Sequence, residues 1–211
     1  MIQQVIIQKM KIINYPINKD YFIGANFIDK KICKEIIEYY KKNNHLVIPG
    51  TIGHSEKENV VDETVKSGNE MIFENVNFLS RFPNYTKSLN ECLLQYLNTY
   101  PYCNKQYFFN IHQTIKIQHY KKNEGFKQWH MENSGIGLAS KRVLVFMTYL
   151  NDVKNGGTEF FHQGITTPAK QGLTLIWPAG WTHVHKGQIS KTKEKYIVTG
   201  WYSFVLLICP L

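Results

Sequence analysis

The stretch Arg142–Leu150, RVLVFMTYL, constrains the fold more than any other, because it is almost entirely apolar or β-forming. Such a run fits a strand that is covered on both faces, so it belongs in the middle of a sheet. Turn signals at Asn155-Gly156-Gly157, Gln171-Gly172 and Pro178-Ala179-Gly180 cut the chain that follows into short strands. These are Thr158–Phe161, Leu173–Trp177 and Lys195–Ser203. Upstream, Ile115, Ile117 and His119 alternate with Lys116, Gln118 and Tyr120. Many short strands joined by tight turns predict a β-sandwich or jelly roll from Tyr107 onward.

The first half reads differently. Lys9–Tyr15 alternates loosely, as an edge strand would. Asp29 is placed to cap a helix whose Ile32, Ile36, Ile37 and Tyr40 share one face. After Pro83, the residues Tyr85, Leu89, Cys92, Leu93, Tyr96 and Leu97 recur at helical steps. Between them, Pro49–Gly68 dissolves into Gly, Ser, Glu and Lys, the pattern of a long irregular lid. The predicted class is mainly β with flanking helices (α+β). One domain spans 1–211, with 1–106 as variable helical support and 107–211 as the β core.

Composition removes several function classes. A chain of 211 residues with 43% hydrophobic and 14% aromatic residues is neither disordered nor of low complexity. The cysteines (Cys33, Cys92, Cys103, Cys209) are scattered without a CxxC pair, which argues against a zinc ribbon or a disulfide scaffold. The net charge of +9 would attract nucleic acid, acidic peptides or small dianions. The lysines, however, come as short pairs such as Lys41-Lys42 and Lys121-Lys122, with no basic run. The start MIQQVIIQKMKII is broken by Gln and Lys before any signal-like apolar stretch develops. The apolar tail Phe204–Leu211 is too short to span a bilayer. It suits a last core strand or a contact between subunits of a homodimer. The expectation is a cytoplasmic protein without a membrane segment.

Three features of the second half carry chemistry. In the extended segment His130-Met131-Glu132, imidazole and carboxylate at i and i+2 point the same way. Trp181-Thr182-His183-Val184-His185 supplies another imidazole. Two His and one carboxylate on an iron leave positions open for O2 and a bidentate co-substrate. Lys195 then opens an aromatic, β-branched strand, where an unpaired ammonium is costly and calls for an anion. By alternation Ile197, Thr199 and Trp201 share its face, making a slot for a small dicarboxylate. Snorkelling at the strand end is the structural alternative for Lys195.

The ordered series IQHYKKNEGFKQWHME, RVLVFMTYLNDVKNGGTEFF and PAKQGLTLIWPAGWTHVHKGQISKTKEKYIVTGWY resembles the iron(II)- and 2-oxoglutarate-dependent dioxygenases, in particular their prolyl 4-hydroxylase branch. The resemblance runs from about Ile115 to Tyr202 and implies a double-stranded β-helix (jelly roll) as catalytic core. It assigns His130, Glu132 and His185 to Fe(II), and Lys195 to the far carboxylate of 2-oxoglutarate. Tyr120, Tyr149, Thr199 and Trp201 match pocket positions. The implied reaction consumes O2 and 2-oxoglutarate, hydroxylates an unactivated C–H and yields succinate and CO2, with ascorbate as a possible reductant. No catalytic residue beyond the metal site is implied.

Two points depart from the family pattern or leave a choice. Most relatives carry HxD; with HxE the longer side chain reaches iron only if the backbone sits back or the rotamer folds. His183 and His185 are expected to share a strand face, and the spacing to Lys195 favours His185, leaving His183 as support or substrate contact. Trp129 and Trp181, beside the ligands, could stack on a substrate ring or pack the core.

Other readings compete. The glutamate that a cupin needs after HxH is missing, since Lys186-Gly187-Gln188-Ile189 stands there. Glu132 argues against a halogenase. The absence of arginine after His185 argues against a nucleic-acid substrate. A non-catalytic jelly-roll module for protein binding is the rival of another class. For the oxygenase, a protein or peptide is the expected substrate and a small metabolite the alternative.

Overall fold

The computed structural model describes residues 12–54, 57–105 and 108–205. The first residues of the expected Lys9–Tyr15 strand, Tyr107, Cys209 and the tail beyond Val205 lie outside the described residues. The first half contains strands β1 (Ile13–Asn14), β2 (Gly24–Phe27), β3 (Ile48–Pro49), β4 (Ile52–His54), β5 (Lys57–Val60), β6 (Lys66–Ser67) and β7 (Asn69–Phe73). Helices α1 (Lys30–Lys42), α2 (Asn75–Arg81) and α3 (Pro83–Thr99) complete it. The second half adds β8 (Phe109–Asn110), β9 (Ile115–Tyr120), β10 (Gly125–Phe126), β11 (Arg142–Tyr149) and β12 (Val153–Phe160). It ends with β13 (Ile165–Ala169), β14 (Leu173–Pro178), β15 (His185–Gly187) and β16 (Lys195–Phe204).

A large antiparallel sheet runs in the order β1-β2-β14-β11-β16-β9-β7-β3, with β8 also paired to β16. A smaller sheet, β13-β12-β15, lies across it, as expected of a jelly roll. The apolar run singled out above, β11, sits between β14 and β16 and is buried from Leu144 onward. Alternation on the sheet sorts two cores. Leu144, Phe146, Ile176, Val198 and Tyr202 face the helices, while Val145, Met147, Leu175, Trp177, Ile197 and Trp201 face the smaller sheet, meeting Val153, Phe160 and Ala169.

The helices form where capping and spacing allow. The Asp29 carboxylate accepts the Lys31 N–H at 2.8 Å, and α1 buries Ile32, Cys33, Ile36 and Tyr40, with Ile37 half-buried. Pro83 opens α3, where its missing N–H costs nothing. That helix buries Tyr85, Leu89, Cys92 and Tyr96, with Leu93 and Leu97 half-buried. The Tyr85 hydroxyl bonds Thr148 Oγ1 at 2.9 Å, tying helix to sheet.

Three expectations need correction. The first half is more than helical support, because β1, β2, β3 and β7 are strands of the large sheet. Pro49–Gly68 is not one irregular lid: it holds the β4–β5 hairpin and β6, which pairs with β10. Strands of two to four residues leave no readable period. Asn155-Gly156-Gly157 is not a turn but an irregularity within β12, whose pairing with β13 shifts between Val153 and Thr158. Asn155 takes φ 53°, and a Cβ on Gly157 would stand 1.7 Å from the Thr167 carbonyl oxygen. Only glycine allows β13 so close. Among the described residues, no helix is long and apolar enough to cross a membrane.

Candidate metal centre and co-substrate pocket

His130 and His185 meet across an antiparallel bridge, exchanging N–H···O bonds of 3.0 and 2.9 Å. Paired residues project to one side, so the two rings lie together, with centroids 4.4 Å apart. The Glu132 and Asn133 N–H groups both bond the Ala179 carbonyl, which folds the segment after His130 back over the bridge. One donor atom from each of His130, Glu132 and His185 lies within 4.8 Å of the others. Glu132 Oε1 is 3.6 Å from His130 Nε2 and 3.7 Å from His185 Nε2. Two atoms each about 2.1 Å from a common ion can be at most about 4.2 Å apart, so these spacings fit a shared ion.

Both rings are oriented from behind. His130 Nδ1 contacts the Gln128 carbonyl at 3.0 Å and His185 Nδ1 the His183 carbonyl at 2.9 Å. A carbonyl can only accept, so each Nδ1 carries the proton and each Nε2 keeps its lone pair for a metal. Phe126 stacks on His130 at 3.7 Å, and Trp177 and Phe160 wall His185. Burial lowers the His185 pKa, keeping it neutral.

His183 does not share a strand face with His185. It closes a short 3-10 turn, Trp181–His183, before β15 begins. Its Nε2 meets the Tyr21 carbonyl at 2.8 Å and its Nδ1 meets Thr182 Oγ1 at 2.9 Å. Both nitrogens are occupied away from Glu132, and the residue pins the ligand-bearing loop to the first half. Trp129 and Trp181 do not pack the core: they are 40% and 68% exposed. Trp129 lies edge-on to Phe161 with Lys186 4.5 Å over its ring.

Lys195 is buried at the inner end of β16, opposite Tyr120 in register, with Nζ 5.4 Å over that ring. It donates to the Gly156 carbonyl at 3.0 Å and the Gln188 carbonyl at 2.9 Å. Burial pulls its pKa down to about 8. The irregularity in β12 is what presents the Gly156 carbonyl. The Tyr149 hydroxyl bonds Thr158 Oγ1 at 2.6 Å and Thr167 Oγ1 at 3.3 Å. Thr158 stands opposite Gly187, where an added Cβ would be 3.5 Å from Lys195 Nζ. Tyr149 and Lys195 thus border the same end of the barrel. Toward the metal end, Tyr120 bonds Gln118, which bonds Thr199.

Trp201 and Arg142 have a contact that sequence patterns do not show. The Trp201 indole donates to Glu132 Oε2 at 3.0 Å, and Arg142 Cζ lies 3.6 Å from the centre of the same ring. Arg142 was not singled out from the sequence, nor were Gln113, Gln118, Thr158 and Thr167. One signal was available for Arg142: the chain has only two arginines among its 25 basic residues. A planar, stacking cation in a lysine-rich chain marks a site that lysine cannot serve.

Residues 115–203 match the 2OG-Fe(II) oxygenase superfamily. This segment is similar to a 2OG-Fe(II) oxygenase domain. On this segment rests the likeness of the chain to the 2-oxoglutarate-dependent dioxygenases, a class that uses Fe(II) and 2-oxoglutarate. The fold of the chain is similar to a viral collagen prolyl hydroxylase from Paramecium bursaria Chlorella virus-1 solved as a 2-oxoglutarate complex, with a TM-score of 0.62, 17% identity, and coverage of 87% of this chain and 97% of that one. It is also similar to a Trichoplax adhaerens prolyl hydroxylase solved with a hypoxia-inducible-factor peptide fragment (TM-score 0.67, 14% identity, 88% and 84% covered). A Pseudomonas putida prolyl-4-hydroxylase follows at TM-score 0.62 and 13% identity, with 86% and 91% covered. No curated protein matches the chain by sequence.

Proposed function

We propose that this protein is an oxygenase that hydroxylates an unactivated C–H bond of a peptide substrate, in the manner of a prolyl 4-hydroxylase, through Fe(II) held by His130, Glu132 and His185. One observation carries the reading: three donor atoms converge while both imidazoles commit Nδ1 to backbone carbonyls, leaving Nε2 for a metal. When bound, Fe(II) with 2-oxoglutarate and O2 supplies oxidative hydroxylation, releasing succinate and CO2, with ascorbate as external reductant.

The chain's own part is placement. Lys195 has three N–H donors, of which two go to carbonyls, so the third can meet the far carboxylate of 2-oxoglutarate. The Tyr149 hydroxyl borders that end. Tyr120 and Thr199 line the way to the metal, with Trp201 beyond them. Phe126 packs on the His130 ring, and Phe160 and Trp177 pack around the buried His185. Outside, the exposed Trp129 and Trp181 flank the ligand segments and offer flat apolar surfaces to a substrate. The peptide bound to the Trichoplax enzyme supports a peptide here rather than a small metabolite.

The test is anaerobic reconstitution with Fe(II) and 2-oxoglutarate, following the weak visible charge-transfer band of the chelate. The band should form with the wild type and be lost in Glu132→Ala and Lys195→Ala. A folded wild type without a band would sink the oxygenase mechanism and leave a jelly-roll binding module. With the site established, succinate release in the presence of proline-containing peptides would test the substrate class.

A further inference from the structure

We infer that Trp201 and Arg142 act as positioning residues that grip one oxygen of Glu132, and that this grip is why a glutamate, not an aspartate, stands at position 132. The inference rests on the metal-site reading above. The two carboxylate oxygens have separate environments. Oε1 faces the two imidazoles at 3.6 and 3.7 Å. Oε2 accepts the Trp201 indole N–H at 3.0 Å and faces Arg142 Nη1 at 3.4 Å.

The grip is itself held. Arg142 Nη1 also donates to the Glu132 backbone carbonyl at 3.0 Å, so one guanidinium pins main chain and side chain of the same residue. Its Nε donates to Gln113 Oε1 at 2.9 Å. Gln113 in turn donates to Ser203 Oγ at 2.8 Å and the Leu138 carbonyl at 3.0 Å. The Asn133 side chain fastens the Arg142 carbonyl at 2.9 Å. Stacked on Trp201, the guanidinium completes a ring of contacts linking β11, β16 and the Glu132 segment.

Geometry then selects the residue. An aspartate carboxylate lies about 1.5 Å, one C–C bond, nearer its own backbone. With the backbone pinned by Ala179 and Arg142, an aspartate could satisfy the indole or reach between the imidazoles, but not both. Glutamate spans the gap. It would ligate through Oε1 alone, because Oε2 is already bonded.

Co(II) is the probe: its affinity and visible d–d spectrum report the centre without turnover. Trp201→Phe keeps the ring beneath Arg142 and removes only the N–H. We expect it to weaken Co(II) binding roughly 10- to 100-fold, as loss of a ligand's supporting bond does, with an altered spectrum. Glu132→Asp should weaken binding by a similar factor in the wild type, yet by no more than about threefold in the Trp201→Phe background, where the constraint has gone. If Trp201→Phe fails to fold by circular dichroism, Arg142→Met, which removes the guanidinium donors, takes its place with the same readouts. Wild-type affinity and spectrum in the variant, or losses that simply multiply in the double variant, would overturn the inference alone. A folded wild type that binds no Co(II) would overturn the metal-site reading and the inference with it.

Discussion

Lys195 is an ammonium inside a barrel, with two carbonyls for partners and a pKa pulled down to about 8 by burial. The folded value lies below the unfolded one, so the unfolded chain binds more protons between about pH 8 and the ordinary lysine range. Stability from this group therefore rises as pH climbs through that window. Affinity for a dicarboxylate moves the other way, since it needs the charged form. The 2-oxoglutarate dissociation constant, measured by calorimetry on the metal-loaded, oxygen-free protein, should begin to rise above about pH 8. In Lys195→Arg, whose guanidinium does not titrate, that rise should disappear. A wild-type constant that stays flat to pH 10 would remove Lys195 from the pocket. His130, Glu132 and Lys195 stand out in the sequence because i, i+2 spacing and a charge inside an apolar strand are local signals, whereas the choice of His185 over His183 follows from its spacing to Lys195. The hold of Trp201 and Arg142 on Glu132 does not stand out, since it joins residues far apart in sequence through side-chain geometry alone.

At the level of elements, β12 shows how a strand can deliver a backbone atom to a pocket. Its irregularity at Asn155-Gly156-Gly157 turns the Gly156 carbonyl toward Lys195, and the closeness of β13 depends on Gly157. Gly157→Ala would drive a methyl into the Thr167 carbonyl, so it should cost about 1–3 kcal/mol of stability by thermal denaturation and weaken 2-oxoglutarate binding as well. Gly180→Ala, with open space at its Cβ, should leave stability within about 0.5 kcal/mol. If the two variants melt alike, β12 yields more easily than its packing suggests. The same segment shows where sequence reading stops. Gly-Gly marks any place where backbone must come close, and a turn and a bulge look alike until the partner strand is known. The caps and stripes of α1 and α3 were legible because each repeats over several turns. Helix α2 is seven residues long and mostly polar, and gave no such signal.

For the molecule as a whole, the superfamily match covers 115–203, but the sheet does not stop there. Strand β2 covers the edge of β14 and β7 covers the edge of β9. The helices bury Phe146, Ile176, Val198 and Tyr202, and Tyr21 anchors the loop that ends in His185. A fragment of residues 107–211 should therefore lose its sharp thermal transition and bind hydrophobic dyes, whereas the full chain should melt cooperatively. A fragment that melts sharply would make the first half an accessory.

The bridge between His130 and His185 has one more consequence. Main-chain bonds help to fix the distance between the two rings, in addition to whatever an ion would contribute. A trio of two nitrogens and an oxygen ranks divalent ions by their intrinsic affinity, in which nickel, copper and zinc all exceed ferrous iron. The cage would therefore take whichever of these ions its surroundings supplied. Loading it with iron would depend on how scarce the others are kept, a matter of cellular metal supply and not of this chain.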